Sequence, residues 1–462
     1  MDSRDLQVSQ RLLNFIADCP SMFHTVATIR ERLENAGFTY LPEADAWTIR
    51  PGGVYFTVRN NSSLIAFAVG SELGDGTLAD DADPGYRRFG QEVPGGFHFQ
   101  LAACHADSPT YKVKAVPELS GPGSYLRLNV ESYGGVVDST WLDRPLSLAG
   151  RVLVRNGTGI ESRLLSIDRD VLLIPNVAIH LSHNLNNNPA YNRQVDLCPL
   201  FSAGELDEGS FKLLIAEELG ADPAEILGWD LFLVNRQGPR IWGAADEFIS
   251  SPRLDDLQGT FCCLESFLAA DNPACITVFS CFDNEEVGSG TKQGALSTFL
   301  SDTLERITGT LGGSEEDYHR ALAKSFMISC DNAHAVHPNH PEKTDEANRA
   351  WLNQGIVIKE AANQKYTTDA FSRSVFAALC EREGIPYQRF ANRSDLSGGS
   401  TLGNLSNRQV SVHAVDVGLP QLAMHSAYET AGIRDTALAI QALTAFYRAD
   451  IQIAGADAAR IG

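Results

Sequence analysis

Residues 274–291 read ACITVFSCFDNEEVGSGT, an apolar run that ends abruptly in Asp283, Asn284 and the adjacent pair Glu285 and Glu286 before breaking into glycine. Ile276, Val278 and Phe279 are residues for a buried strand, so the DNEEVGSG segment falls on the loop at that strand's carboxyl end. In an open α/β sheet that edge is where sites are assembled. Two neighbouring carboxylates there can divide labour, one holding a metal while the other, unbound and close by, takes a proton from the attacking water. In an acidic chain a Glu-Glu pair also reads as two solvated loop acids. What decides between them is how many other potential ligands also follow apolar runs.

The surrounding chain is patterned to supply them. Beyond about residue 245, helix 257–268, strand 275–281, helix 292–300, strand 326–330, helix 369–383, strand 410–415 and helix 436–447 alternate, the rhythm of a mainly parallel sheet covered by helices. Upstream, 9–16 and 23–33 are helical, and 54–59 and 64–69 are strands joined by the hairpin signal NNS. Residues 97–104 are a strand that delivers His105-Ala106-Asp107 at its end. The acidic, glycine-rich stretch 71–96 has no periodicity and reads as a surface loop. From 109 to 244 the character changes: 125–132, 136–141, 146–154, 162–173 and 230–235 are short strands between Gly, Pro and Asp turns. A polar loop at 184–188 and one short helix at 211–219 accompany them. The expected fold is α/β, an α/β/α sandwich with a mainly parallel central sheet built discontinuously from 1–108 and 245–462. A β-rich insertion occupies 109–244.

The chain has 462 residues, 44% of them apolar, enough for two domains with sizeable cores. A net charge of −21 argues against nucleic acid or an anionic membrane surface as partner, since both need a cationic face. The nine cysteines show no C-x-x-C spacing and sit mostly in apolar runs, as reduced core residues of a cytoplasmic protein do. No apolar run approaches the ~20 residues of a membrane span, and MDSRDLQVSQ at the start reads as neither a signal nor a transit segment.

Collected in order, the candidates are His105 and Asp107, Asp255 and Asp256, Glu285 and Glu286, Asp331, and His425. Most follow an apolar run or open a helix, positions that a doubly wound sheet gathers on one rim. Two imidazoles among several carboxylates suit a pair of zinc-like divalent ions bridged by one carboxylate. In the H-x-D spacing, Asp107 can accept the second ring N–H of His105 and fix its tautomer. Each candidate also has a plain structural role open to it: Asp255 or Asp256 as a helix cap, Asp331 as a turn former. The tract His334, His337 and His340 is metal-like in composition, but its spacing with Pro338 is not that of a helical ligand pair.

CHADSP, SPRLDDLQ, DNEEVGSGT, ISCDNAHAVHPN and PQLAMHS resemble, in order, the motifs of the aspartyl aminopeptidase-like family of dinuclear zinc metallopeptidases. The likeness runs from FIADCPSMFHTV at 15–26 to the end. The resemblance implies His105, Asp255, Glu286, Asp331 and His425 as zinc ligands, with Asp255 bridging, Glu285 as general base, and the histidines after Asp331 as non-ligands. It implies an inserted β-domain that mediates dimerisation within a dodecamer, and VAIHLSHNLN resembles a segment whose histidine, here His180, reaches the neighbouring subunit's site. GIVIKEAANQKYTTDA resembles the stretch that contributes an acid-reading lysine, which places Lys359, followed by Tyr366, in the substrate pocket. RSDLSGGSTLGN keeps the family's framework around Gly399, Thr401 and Gly403 but carries Ser397-Gly398 where eukaryotic members tend to have Pro-Cys. The expected activity is removal of an N-terminal residue, Asp or Glu, from peptides. The rivals are a neutral preference, a zinc carboxypeptidase or deacylase on a similar fold, and a silent assembly or cargo protein, whose usual mark, a lost ligand or base, is missing.

Overall fold

The computed structural model describes residues 3–73, 97–182, 186–187, 190–396 and 398–462. The stretch 74–96 within the expected surface loop, part of the 184–188 loop, and Ser397 lie outside these residues. Ile276–Phe282 is a strand with every residue buried. It lies at the heart of a nine-stranded sheet in the order Thr39–Tyr40, Val54–Arg59, Ser63–Val69, Ile276–Phe282, Phe99–His105, Phe326–Cys330, His413–Gly418, Ile356–Glu360, Tyr387–Ala391. The four strands from Ile276–Phe282 to His413–Gly418 run parallel, so their carboxyl ends share one rim. Antiparallel pairings with Ser63–Val69 and with Ile356–Glu360 flank them.

Alternation along these strands feeds two cores, as a sheet covered on both faces requires. Phe279, Cys281, Ala102 and Cys104 join residues of the helices Ser3–Asp18, Met22–Asn35, Leu254–Ala269, Ala370–Arg382 and Asp435–Arg448 on one face. Val278, Phe282, Phe99 and Leu101 meet Phe299–Thr310, Glu315–Ala323 and Leu402–Ser406 on the other. This is the expected α/β/α sandwich. Among the described residues no helix is long and apolar enough to cross a membrane.

A second, six-stranded sheet is antiparallel throughout: Gly159–Ser166, Leu146–Asn156, Ile226–Asn235, Thr110–Ser120, Leu126–Tyr133, Leu200–Ser202. Leu128, Leu148, Val152 and Leu231 form its core with Phe211 and Ile215 of the helix Ser210–Leu219. A third sheet of short strands orders Arg240–Trp242, Phe248–Ser251, Glu429–Gly432, Pro420–Leu422 and Ala333–His334, and ties the segment after Asp331 to the turn that carries His425.

Several expected elements differ: the strand expected at 162–173 ends at Ser166, the one expected at 410–415 is His413–Gly418, and two others change more. Residues 136–141 are expected as a strand, yet Asp138–Trp141 is a 3-10 helix: the Tyr111 hydroxyl donates to Asp138 Oδ1 (2.5 Å) and its ring packs edge-on against Trp141. Tertiary contacts override β propensity there. The helix expected at 292–300 begins only at Phe299, because the Ser297 hydroxyl donates to Gly294 O (2.7 Å) and accepts from Phe299 N–H (3.2 Å), competing with helical bonds.

Candidate metal centre

The parallel rim gathers the candidate residues. His105 ends its strand, Glu285 and Glu286 form a short 3-10 turn just after Phe282, and Asp331 follows Cys330. Asp255 stands at the start of the helix Leu254–Ala269 with a non-helical backbone (φ −85°, ψ 111°), and its Oδ1 accepts no helix N–H, so it does not serve as a cap. His425 adopts a left-handed φ of 67° in the turn between Pro420–Leu422 and Glu429–Gly432. One buried carboxylate holds the last two in place: Glu429 Oε1 accepts from His425 N–H (2.7 Å) and Oε2 from Asp255 N–H (3.0 Å).

Asp255 faces both imidazoles, one with each oxygen. Its Oδ1 lies 3.5 Å from His105 Nε2, which is 3.7 Å from Asp331 Oδ1. Its Oδ2 lies 3.6 Å from His425 Nε2, which is 3.4 Å from Glu286 Oε2. Donor atoms bound tetrahedrally at ~2.0 to 2.1 Å stand roughly 3.3 Å apart, so both spacings suit a zinc-sized ion. The other ring nitrogens are occupied: His105 Nδ1 donates to Asp107 O (3.1 Å) and His425 Nδ1 to Gly135 O (3.0 Å), leaving each Nε2 lone pair turned inward. His105 Nε2, Asp255 Oδ1 and Glu286 Oε1 are buried without a hydrogen-bond partner among the described residues, which leaves them free to bind a cation. The donor set therefore fits a divalent cation.

The charges agree. Burial, reinforced by Asp255 and Glu285, pushes the Glu286 carboxyl well up. Burial acts against a charged His105, but Asp107, Asp255 and Asp331 outweigh it and raise its pKa. For Asp331 burial is likewise overcome, by Lys359 and His105, which hold it below the usual carboxylate range. Glu285 is within 4.8 Å of donors on His105 and Glu286, and burial raises its carboxyl to about 8. A carboxyl raised towards neutrality beside metal donors is suited to accepting a proton.

The remaining candidates lie around these donors or apart from them. Asp107 does not hold the His105 ring chiefly by its carboxylate: Nδ1 is nearer the Asp107 backbone oxygen (3.1 Å) than Oδ1 (3.4 Å). The carboxylate is spent on the loop, accepting from Glu285 N–H and Glu286 N–H (3.2 Å each). Lys359 is buried, and its ammonium donates to Asp331 O (2.7 Å) and lies 3.3 Å from Asp331 Oδ2, with the Tyr366 ring 5.1 Å away. Thr401 is buried and donates to Asp416 Oδ1 (2.6 Å), a carboxylate aligned with Lys359 across neighbouring strands. His180 is exposed and belongs to none of the donor groups found among the described residues, nor do His334, His337 and His340. Missed from sequence were Glu429, Asp416 and Tyr133, whose hydroxyl donates to Asp107 Oδ2 (2.7 Å). The acid four residues after His425 and the Tyr-Gly-Gly at a strand end were the available signals.

Comparison with known proteins decides the family. The profile of the Aminopeptidase I zinc metalloprotease (M18) family matches residues 15–77 and 88–447. This chain belongs to the M18 family. Probable M18 family aminopeptidases 2 of Clostridium acetobutylicum and Clostridium novyi are 44% and 42% identical to it, each alignment covering 96% of this chain and 99% of the relative. Among solved structures, the cryo-EM structure of the Ape4 and Nbr1 complex gives a TM-score of 0.88 at 33% identity, covering 96% of this chain and 86% of that one. The S. cerevisiae mApe1 dodecamer gives 0.78 at 25% identity, covering 95% and 96%. The protein is thus an M18 metalloaminopeptidase, a hydrolase rather than a silent scaffold, and acts at the amino end of its substrate rather than the carboxyl end.

Proposed function

We propose that this M18 aminopeptidase holds two zinc ions, one among His105, Asp255 and Asp331 and one among Asp255, Glu286 and His425, and removes N-terminal Asp or Glu from peptides. The observation that carries the ligand assignment is Asp255, whose two oxygens face two different imidazoles. Bound there, the ions supply Lewis acidity and positive charge for the developing oxyanion. Glu285 takes the proton of the attacking water and returns it to the leaving amine. Asp107 positions Glu285 by accepting its N–H.

Acidic specificity rests on Lys359. With a net charge of −21 the protein repels an acidic side chain at long range, so selection for one needs a local cation. Lys359 is the buried ammonium beside Asp331, shares its environment with Tyr366, and is framed by Thr401 through Asp416. Lys359→Leu is expected to lower kcat/KM for Asp and Glu anilides by roughly 30-fold, the effect of ~2 kcal/mol from a lost buried charge pair, with little change for Leu and Ala anilides. Equal loss on all four would confine Lys359 to neutralising Asp331, and a wild type that prefers Leu would overturn the acidic reading.

We assign residues 109–244 as the dimerisation domain of a homo-oligomer, a dimer that builds a dodecamer. The similarity to a dodecameric relative supports this, as do the apolar side chains around His180: Val177 and Ile179 are exposed and Leu181 is 81% exposed, costly in water and suited to an interface. His180 would then serve the neighbouring subunit's site. Co-assembling the inactive variants His180→Phe and Glu285→Gln is expected to restore partial activity, because some sites receive both intact groups. Demonstrably mixed oligomers that stay silent would rule out the trans role. Nine free, buried cysteines support a reducing, cytoplasmic location.

A further inference from the structure

The turn that carries His425 is gripped by the antiparallel domain. Gly135 O accepts from His425 Nδ1 (3.0 Å), and Val137 N–H donates to His425 O (3.1 Å). Two residues on, Ala427 N–H donates to Thr140 Oγ1 (2.9 Å), and Asn235 Nδ2 donates to Ala427 O (2.8 Å). Tyr133, two residues before Gly135, reaches the other half of the centre. The Tyr133 hydroxyl donates to Asp107 Oδ2 and accepts from Asn284 Nδ2 (2.8 Å), and Asp107 in turn accepts the N–H groups of Glu285 and Glu286.

Between these two contacts the backbone passes too close for side chains. A Cβ on Gly134 would lie 3.1 Å from Glu286 Cβ, and Gly134 has a φ of +78° that only glycine adopts easily. A Cβ on Gly135 would lie 3.1 Å from His425 Nδ1. The double glycine is what lets a strand end of one domain lie against two candidate ligands of the other.

We propose that residues 133–137 are a positioning strap of the metal centre: Gly135 sets the tautomer and aim of His425, Tyr133 steadies Asp107 and through it the Glu285–Glu286 turn, and seating of the antiparallel domain thereby sets zinc affinity. This rests on the ligand assignment above. It makes the domain a component of the site within its own subunit, separate from any role in assembly. Partners that orient a ligating histidine typically govern about 10- to 100-fold in metal affinity.

The test is zinc titration of the full-length oligomer against a fluorescent chelator, with kcat and KM at saturating zinc and melting of the zinc-stripped protein. Tyr133→Phe removes one oxygen and keeps the ring contact with Phe232. It is expected to weaken zinc binding about 10-fold or more and to lower kcat with KM unchanged, while the zinc-stripped protein melts as wild type does. Gly135→Ala is expected to weaken binding of one ion, that of His425, more than the other. Wild-type zinc affinity and kcat in Tyr133→Phe overturn the strap, and so does a loss matched by equal destabilisation of the zinc-stripped protein. Fewer than two zinc ions per wild-type chain overturns the ligand assignment first and the proposal with it, so the two failures are told apart in one titration.

Discussion

Glu285→Gln loses about 100-fold or more of kcat while its zinc content stays at the wild-type level, the expected size of losing a general base. Glutamine keeps the length and shape of the side chain and cannot accept the proton. The backbone that aims it is untouched, because the N–H of residue 285 still donates to Asp107 Oδ1 and the turn is set by left-handed Asn284 and Gly288 on either side. Glu286, the neighbouring donor that faces His425, keeps its own N–H bond to Asp107. Elemental analysis of the purified variant beside a turnover assay separates the two glutamates. Near-wild-type kcat would remove Glu285 from the chemistry, and loss of metal in step with activity would make it a ligand instead.

The place of those glutamates on the site's rim was legible because a fully buried strand turning within two residues into acids is a strong local signal, and His105 and Asp331 repeat it on neighbouring strands. Parallel packing then brings ends distant in sequence to one rim, a consequence of topology rather than of any local pattern. The plain alternative for Asp255, capping its helix, is not what the structure shows, for the converse reason. Its conformation is imposed from outside the helix, by Glu429 on its N–H and the Ser108 hydroxyl on its carbonyl. Nothing in the periodicity of 109–244 could show Tyr133 and Gly135 at the site, since they look like the end of one more strand. Their contacts with Asp107 and His425 join segments distant in sequence. Composition likewise overstated His334, His337 and His340: His337 and His340 lie against each other at a tilt of 39°, and His340 pairs with Glu342 (3.1 Å).

Asp255→Ala is expected to lose zinc and activity together, by about 10³-fold in kcat or more, because one side chain serves both ions and the lost Lewis acidity is worth several kcal/mol. The fold should survive. The bonds that Glu429 and Ser108 make are to the backbone of residue 255, which alanine keeps. The sharper expectation concerns stability. An Asp255 oxygen lies within 4.8 Å of one from Asp331, and two ionised carboxylates at that separation repel by about 3 kcal/mol at an effective dielectric of 20. In the zinc-stripped wild type that repulsion is opposed chiefly by Lys359 and His105, whereas Asp255→Ala is rid of it. In EDTA the variant should therefore melt no lower than the wild type, and added zinc should raise the melting temperature of the wild type far more than that of the variant. Two tightly held ions in Asp255→Ala, or an equal rise with zinc in both proteins, would show that the carboxylate does not bridge.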